Sequence, residues 1–496
     1  VPVAFDMHCD PSTDSAHPDD VAPAALANLE FTPDEMRAMG HAVVDRSVAH
    51  LAAIGDMPSM GDLDATALCR ALRETAPEQA STLEPLLDLL FDTLIPRSFN
   101  TASPGYFAYI PGGGVYPAAL ADFIADTVNR YTGVWNASPA LVQLEGNALE
   151  WLRDWMHFPV GTAGLFTPGG SMATFNAILC ARERHLGPDI RPGTLYTSDQ
   201  GHHCIEKAAK LAGIHHDRVR LVPVDRTFRM RVDLLADAIA RDREQGLRPF
   251  MVASSAGTTN TGAVDPLDDI ADLCAREALW HHIDGAYGAF FHLVPELQPL
   301  LRGLPRGDSL TLDPHKGMFL PYGTGALLVR DGSALRAVHT ATAGYLPQNQ
   351  SEFYDPAQHG PELSRGFPGL RVWLAVKLYG AARYRAAIAE KRTLALWGAQ
   401  QVARIPGIVL DAEPQLSLFA FHLAGPGLTT QAARDEATRQ LMDRVNARGR
   451  VMLTGCVVDG RHLARICVMS FRTHREHLEA CVEDLTTAAA AILAGH

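Results

Sequence analysis

Four short stretches carry side chains that packing alone does not require. In "LDPHKGMF" Lys316 follows a proline and a histidine, between two apolar runs that read as strands, so a primary amine stands at a strand end. In "HHIDGAYGAFF" Asp284 closes an apolar run. A carboxylate there needs a cationic or donor partner, because an isolated buried charge is expensive. "TPGGSMATFNAI" opens a helical pattern on Gly169, Gly170 and Ser171; the free N–H groups and positive dipole end of such a start form a seat for phosphate. "SDQGHHCIEKAAK" sets His202 and His203 at another helix start, where a neutral imidazole either stacks on a flat ring or caps the helix.

Each feature alone has an ordinary reading as a turn, a cap or a solvated loop. One chemistry uses all four. Pyridoxal phosphate takes an amine for its aldehyde, an anion for its pyridinium nitrogen, a flat group against its ring and N–H donors for its phosphate. Burial and neighbouring cations are expected to lower the pKa of Lys316 and favour the free amine.

The elements that must position these groups alternate. "TLYTS", "VRLVPV", "PFMVASSA", "WHHID" and "GALLVRD" read as strands, with helical runs such as "CIEKAAKLAG", "VDLLADAIARDREQG" and "LDDIADLCAREA" between the earlier ones. This alternation predicts βαβ units, with a parallel or mixed sheet covered on both faces and ligands at the carboxyl ends of its strands. Asp284 and Lys316 are separated by enough chain for one crossover and return to an adjacent strand. A long helical run, "LRVWLAVKLYGAARYRAAIAEKRTLALWGAQQVARI", leads to a smaller α+β unit with strands at "IVLDA", "LFAFHL" and "ICVMSF". Before the sheet, "TPDEMRAMGHAVVDRSVAHLAAI" has a Thr N-cap, Pro at the next position and acidic first-turn residues. Residues 1 to about 25, rich in Pro, Asp and Ser, are expected to form a loose arm.

A chain of 496 residues, 47% hydrophobic and 20% charged, is globular and long enough for one large core and a smaller domain. Its net charge of -13 argues against nucleic-acid binding through a basic surface. Eight scattered cysteines with no Cys-x-x-Cys pair point to reduced thiols and a cytoplasmic location. Neither an export signal nor a membrane span is expected. His41, His50, His281 and His282 do not form a metal set at any justified spacing.

"HHIDGAYGAFF", "LDPHKGMF", "TPGGSMATFNAI", "SAGTTNTGAVDPLDDI", "SDQGHHCIEKAAKLAG" and "NASPALVQLEGNALEWL" together resemble the motif set of the group II pyridoxal-phosphate-dependent amino-acid decarboxylases, the family of aromatic L-amino acid decarboxylase. The matches run in order from about Phe99 to Arg472. The resemblance implies the fold-type I architecture: a mixed, mostly parallel seven-stranded sheet in a large domain at 101–395, a dimer-forming N-terminal arm and helical segment at 1–100, and a small α+β domain at 396–496. It further implies that Lys316 forms the internal aldimine, Asp284 pairs with the pyridinium nitrogen and His202 stacks on the ring. Gly170 and Ser171 would hold the phosphate beside His315 and Asp313, the latter where the family often has Asn. Ala286 would lie under the other ring face, with Thr259 and Asp265 lining and supporting the ring. "SPGYFAYIPGGG" matches the substrate-side loop and puts Tyr109 and Pro111 at the side-chain pocket, with His203 and Arg365 as further substrate-side contacts. A homodimer with active sites at the subunit interface follows from the same resemblance.

The implied reaction is decarboxylation of an L-amino acid through a quinonoid, by a carboxy-lyase. Tyrosine, DOPA or tryptophan is the first choice of substrate and valine or leucine the second. One position departs from the family: in "FYDPAQHGPELSRGF" Pro356 falls where a proton-donating tyrosine is expected, with Tyr354 two residues earlier. Tyr354, His203 or a water would take that role, or the quinonoid would be oxidised by dioxygen to an aldehyde and ammonia. An aminotransferase, with Arg472 as carboxylate anchor, and a non-catalytic homologue complete the alternatives.

Overall fold

The computed structural model describes residues 28–61, 65–340, 352–411 and 413–495. The loose arm expected over residues 1 to about 25 lies outside these. The chain divides into two compact units, one of residues 1–53 and 66–96, the other of 54–65 and 97–496.

The first unit is helical. Helix α1 (Pro33–Ala53) starts as the sequence predicts: Glu35 N–H donates to Thr32 Oγ1 at 3.3 Å, and Thr32 N–H donates to Glu35 Oε2 at 2.8 Å. This reciprocal pair satisfies two donors that a helix start leaves free. Short helices α2 (Thr66–Ala71) and α3 (Leu83–Asp88) follow, and α3 continues as a π-helical turn over Leu89–Leu94. Arg46 of α1 pairs with Asp88 and Asp92. No residue of α1 is buried, and Met36, Val43, Val44 and Val48 are exposed.

In the second unit, α4 (Tyr116–Val128) and α5 (Pro139–Trp155) precede a seven-stranded sheet. Its strands and helices in chain order are β1 (Ala163–Thr167), α6 (Gly170–Leu186), β2 (Gly193–Ser198), α7 (Cys204–Leu211), β3 (Val219–Val222), α8 (Val232–Glu244), β4 (Arg248–Ser255), α9 (Leu267–Glu277), β5 (Trp280–Asp284), β6 (Ser309–Leu312), α10 (Pro314–Gly317) and β7 (Gly325–Val329). The spatial order is β1-β7-β6-β5-β4-β2-β3, and β7 alone runs antiparallel to its neighbours. The strands read as continuous apolar runs because helices cover both faces: β2, β6 and β7 are buried at every position.

Helix α11 (Ser333–His339) leads to α12 (Pro368–Val402), which is kinked at Gly380 (φ 73°, ψ 153°). The second sheet is antiparallel, ordered β10-β11-β9-β8, with β8 (Ile408–Leu410), β9 (Leu418–Leu423), β10 (Thr454–Val458) and β11 (Arg461–Cys467). Helices α13 (Gln431–Asn446) and α14 (Arg475–Leu493) pack on it. The expected strand "ICVMSF" is displaced: β11 ends at Cys467, and β10 lies in a stretch to which the sequence reading assigned no element. A continuous apolar core joins the sheets, with Tyr287, Phe290 and Leu310 meeting Leu416, Leu418, Cys467 and Met469.

Candidate active site

A cleft of about 310 Å³ opens at the carboxyl ends of β1, β4, β5 and β6. Gly170, Ser171, His202 and Thr259 line it from one set of loops, and Ala286, His315 and the charged trio Asp284, Asp313 and Lys316 from the other. All nine expected cofactor contacts therefore share one cavity. Strands β5 and β6 are parallel neighbours, which brings Asp284 and Lys316 together as the spacing suggested. Lys316 does not end a strand, however. It sits in the one-turn helix α10, where Lys316 N–H donates to the Asp313 carbonyl at 2.8 Å.

The turn that starts α6 depends on close backbone approach. A Cβ at Gly325 would lie 2.5 Å from Gly169 Cα, so the start of β7 is pressed against the turn that launches α6. A Cβ at Gly112 would lie 2.6 Å from the His315 carbonyl oxygen, so the loop before α4 lies directly on the lysine turn.

The ionic arrangement differs from expectation at Lys316. Its Nζ lies 2.8 Å from Asp313 Oδ2. Burial pulls the amine's pKa down, but Asp313, helped by Asp284, outweighs burial and holds it above the ordinary lysine value. The expected depression neglected this carboxylate. Asp284 Oδ1 accepts from Ala286 N–H at 3.1 Å. His202 Nδ1 accepts from Cys204 N–H at 3.2 Å, and burial lowers the ring's pKa. The neutral ring thus carries its proton on Nε2. His203 is exposed and its ring centroid lies 4.2 Å from that of His202.

Asp265 stands behind the cleft: it is 2% exposed and accepts from Met230 N–H (2.7 Å) and Ser255 N–H (2.8 Å), bracing the end of β4. Burial pushes its pKa up to about 6.

The expected substrate-side residues divide. Ile110 lines the cleft, whereas its neighbours Tyr109 and Pro111 do not. Tyr109 is 51% exposed with a positive φ of 52°. Its carbonyl accepts from Arg465 at 2.8 Å and its N–H donates to Thr454 Oγ1 at 3.2 Å. Arg472 donates to the Gly113 carbonyl at 2.5 Å, so it braces the same loop and lies outside the cleft lining.

Tyr354 and Arg365 are also outside it. Tyr354 OH donates to Glu145 Oε1 at 3.1 Å, and Arg365 Nη2 reaches both Glu145 oxygens at 2.6 and 2.8 Å. Burial and then Glu145 push the Tyr354 phenol well above its ordinary pKa. Pro356 starts a 3₁₀ turn and is buried.

Sequence reasoning assigned no role to Glu145, Cys204 or Tyr287. Cys204 and Tyr287 line the cleft, and their signal was adjacency, to His202 and to Asp284 respectively. Glu145 gave none, since its partners come from a segment far along the chain.

Residues 66–424 match the pyridoxal-dependent decarboxylase conserved domain. An aromatic-L-amino-acid decarboxylase of Bacillus atrophaeus is 33% identical, aligned over 91% of this chain and 95% of the relative. Among solved structures, Oryza sativa TDC with PLP and tryptamine superposes with a TM-score of 0.89 at 27% identity, covering 94% of this chain and all (100%) of that one. Rhodiola rosea 4-hydroxyphenylacetaldehyde synthase gives 0.87 at 25% identity, covering 93% and 99%. The residues lining the cleft fit the cofactor by their chemistry: an amine, an anion and a flat ring converge beside a helix start with free N–H groups. The chain belongs to the pyridoxal-dependent decarboxylase family and is a pyridoxal-phosphate-dependent amino-acid carboxy-lyase.

Proposed function

We propose that this enzyme removes carbon dioxide from an aromatic L-amino acid such as tyrosine, DOPA or tryptophan. The supporting observation is the lining of the cleft. Among the described residues, its charged side chains are Asp284, Asp313 and Lys316, all on the cofactor side, while Ile110 and Tyr287 offer apolar surface. Among the described residues that line the cleft, no ionic group is left to receive a charged substrate side chain. The Bacillus relative's name and the tryptamine in the rice structure point the same way.

In this reading Lys316 is the covalent anchor. Bound, the cofactor supplies an electron sink for the bond broken at the α-carbon. Asp284 keeps the ring nitrogen protonated through a charge-assisted hydrogen bond. His202 lies against the ring and presents its Nε2 proton, Ala286 leaves room on the opposite face, and Thr259 flanks the ring. The N–H groups of Gly170 and Ser171 hold the phosphate beside Asp313 and His315. The loop with Tyr109 and Pro111 positions Ile110 at the substrate side chain, and His203 extends the polar edge.

A second reading rests on the phenols. Tyr287 OH lies 2.9 Å from Ser417 Oγ and accepts from Ser417 N–H, and Tyr354 OH is held by Glu145. Among the described residues, neither of these two phenols is free to return a proton to the α-carbon, which favours oxidative conversion to an aldehyde; one of the similar structures is named an aldehyde synthase.

We also infer a homodimer. The uncovered Met36, Val43, Val44 and Val48 of α1, with Leu86, Leu89 and Leu90, form apolar surface suited to a second copy.

Incubation of the holoenzyme with the twenty amino acids, following carbon dioxide, amine, ammonia and peroxide, tests these readings. Equimolar aromatic amine and carbon dioxide is the expected result. Peroxide and ammonia in equal yield would transfer the assignment to the oxidative reading. Turnover confined to valine or leucine would overturn the aromatic one.

A further inference from the structure

The phosphate side of the cleft has too many acceptors. Asp313 is 2% exposed and follows β6 directly. Its Oδ2 lies 3.3 Å from the position a Cβ on Gly170 would occupy, so the carboxylate faces the start of α6. Its Oδ1 is buried and has no hydrogen-bond partner. His315 Nδ1 is 2.8 Å from the Thr324 carbonyl oxygen. A carbonyl only accepts, so Nδ1 carries a proton. Burial lowers the His315 pKa, and in the neutral ring Nε2 is a bare lone pair, 3.4 Å from Asp313 Oδ2.

A phosphate dianion brings only acceptor oxygens. Seated on Gly170 and Ser171, it adds two negative charges to a carboxylate and an unprotonated imidazole nitrogen, and like charges at such range are strongly unfavourable in a buried site. The other groups around the pair do not relieve this. Lys316, the present partner of Asp313 Oδ2, is the covalent anchor in the reading above. His202 and Cys204 at the start of α7 and Asp284 at the end of β5 line the same cleft, and in the reading above His202 and Asp284 are committed to the ring. Arg371 of α12 is engaged by Asp122, the Gly323 carbonyl and Thr324 Oγ1.

One proton resolves the conflict. On His315 Nε2 it makes an imidazolium that donates to phosphate or to Asp313; on Asp313 Oδ1 it turns the orphaned oxygen into a donor. We propose that the Asp313–His315 pair takes up one proton from solvent when the cofactor's phosphate binds, so that cofactor retention weakens as pH rises. This rests on the assignment of the phosphate to Gly170 and Ser171.

The test uses the full chain freed of cofactor and titrated with pyridoxal 5′-phosphate, whose aldehyde engages Lys316 as in the reading above. Calorimetry in two phosphate-free buffers of different ionisation enthalpy, at pH 7.5 to 9, counts protons. Pyridoxal without phosphate, which links to Lys316 in the same way, is the control for the titrations of the ring and amine. The expected result is about one more proton taken up with the phosphorylated ligand, and an affinity ratio between the two ligands that falls by up to about tenfold per pH unit. Asp313→Asn removes that difference and flattens the ratio. Equal proton counts for the two ligands in the wild-type chain would overturn the proposal without any variant. Tight phosphate-dependent binding with equal counts leaves the phosphate assignment standing, whereas equal affinity for both ligands overturns that assignment and the proposal with it.

Discussion

Tyr354 and Glu145 form a buried hydrogen bond of 3.1 Å, on a carboxylate that also receives the Arg365 guanidinium and Gly369 N–H. A residue that sequence alignment offers as a proton donor is thereby fixed to a structural ion pair. Tyr354→Phe should leave kcat close to that of the parent and cost about 1 kcal/mol of stability. A collapse of kcat in a folded Tyr354→Phe chain would return the phenol to the chemistry. Glu145→Gln strands the Arg365 cation, whose side chain is 7% exposed, and should cost about 3–5 kcal/mol in urea denaturation.

Lys316→Ala should lose covalent retention of the cofactor. After borohydride reduction and tryptic digestion the parent carries the added mass on the Lys316 peptide, and the variant carries none. Added mass on a different lysine of the parent would place the anchor elsewhere. Asp284→Ala should retain cofactor weakly and turn over about 10²–10³-fold more slowly, as expected when one preorganised electrostatic partner is removed.

Gly325→Ala tests the cradle from behind. The new methyl would sit 2.5 Å from Gly169 Cα, against backbone that cannot swing aside. Overpacking of this kind costs about 1–3 kcal/mol. Because the displaced turn is the one that starts α6, affinity for pyridoxamine 5′-phosphate should fall more than affinity for pyridoxamine. An equal loss for both would show that the turn does not touch phosphate.

Acid should destabilise the protein through its buried histidines. His281 bonds Ser254 Oγ at 2.8 Å and His282 bonds Ser309 Oγ at 2.8 Å. Burial lowers their pKa values to about 3 and about 4 respectively. The unfolded chain binds protons at these rings from about pH 6.5 downward, and the folded chain does not until about pH 4. Stability contributed by these groups is therefore complete above pH 6.5 and falls as pH drops, by at most about 1.4 kcal/mol per unit for each ring. The urea midpoint should show that slope, and His282→Asn should make it shallower. An unchanged slope in His282→Asn would mean that the ring does not titrate on unfolding.

Much of the sheet was readable from sequence because β2, β3, β4 and β5 are short apolar runs each next to a helix with its own period; β2, β4 and β5 begin and end within a residue or two of expectation, while β1 was not named as a strand. The second sheet was less so. Its β10, "TGCVV", carries a glycine and no alternation, and only pairing with β11 makes it a strand. That the candidate cofactor residues share one cleft was legible because one chemistry asks for all of their types together. The pairing of Lys316 with Asp313 was not, since neighbours in sequence need not face each other until a one-turn helix places them three positions apart. Nor was the Tyr354–Glu145–Arg365 cluster, which depends on a helix and a segment joined only by the fold.

The antiparallel strand β7 has a consequence for folding order. Its register aligns Gly325 with Thr167 at the end of β1. The phosphate turn leaves β1 immediately after Thr167, and the lysine turn arrives at Gly325 from β6. Halves of the cleft separated by nearly the whole large sheet in sequence are thus joined by one ladder. Such nonlocal pairing is intrinsically slow. If the cofactor binds as proposed, its capture requires the β1–β7 ladder to be closed, so its absorbance during refolding should rise no earlier than that pairing.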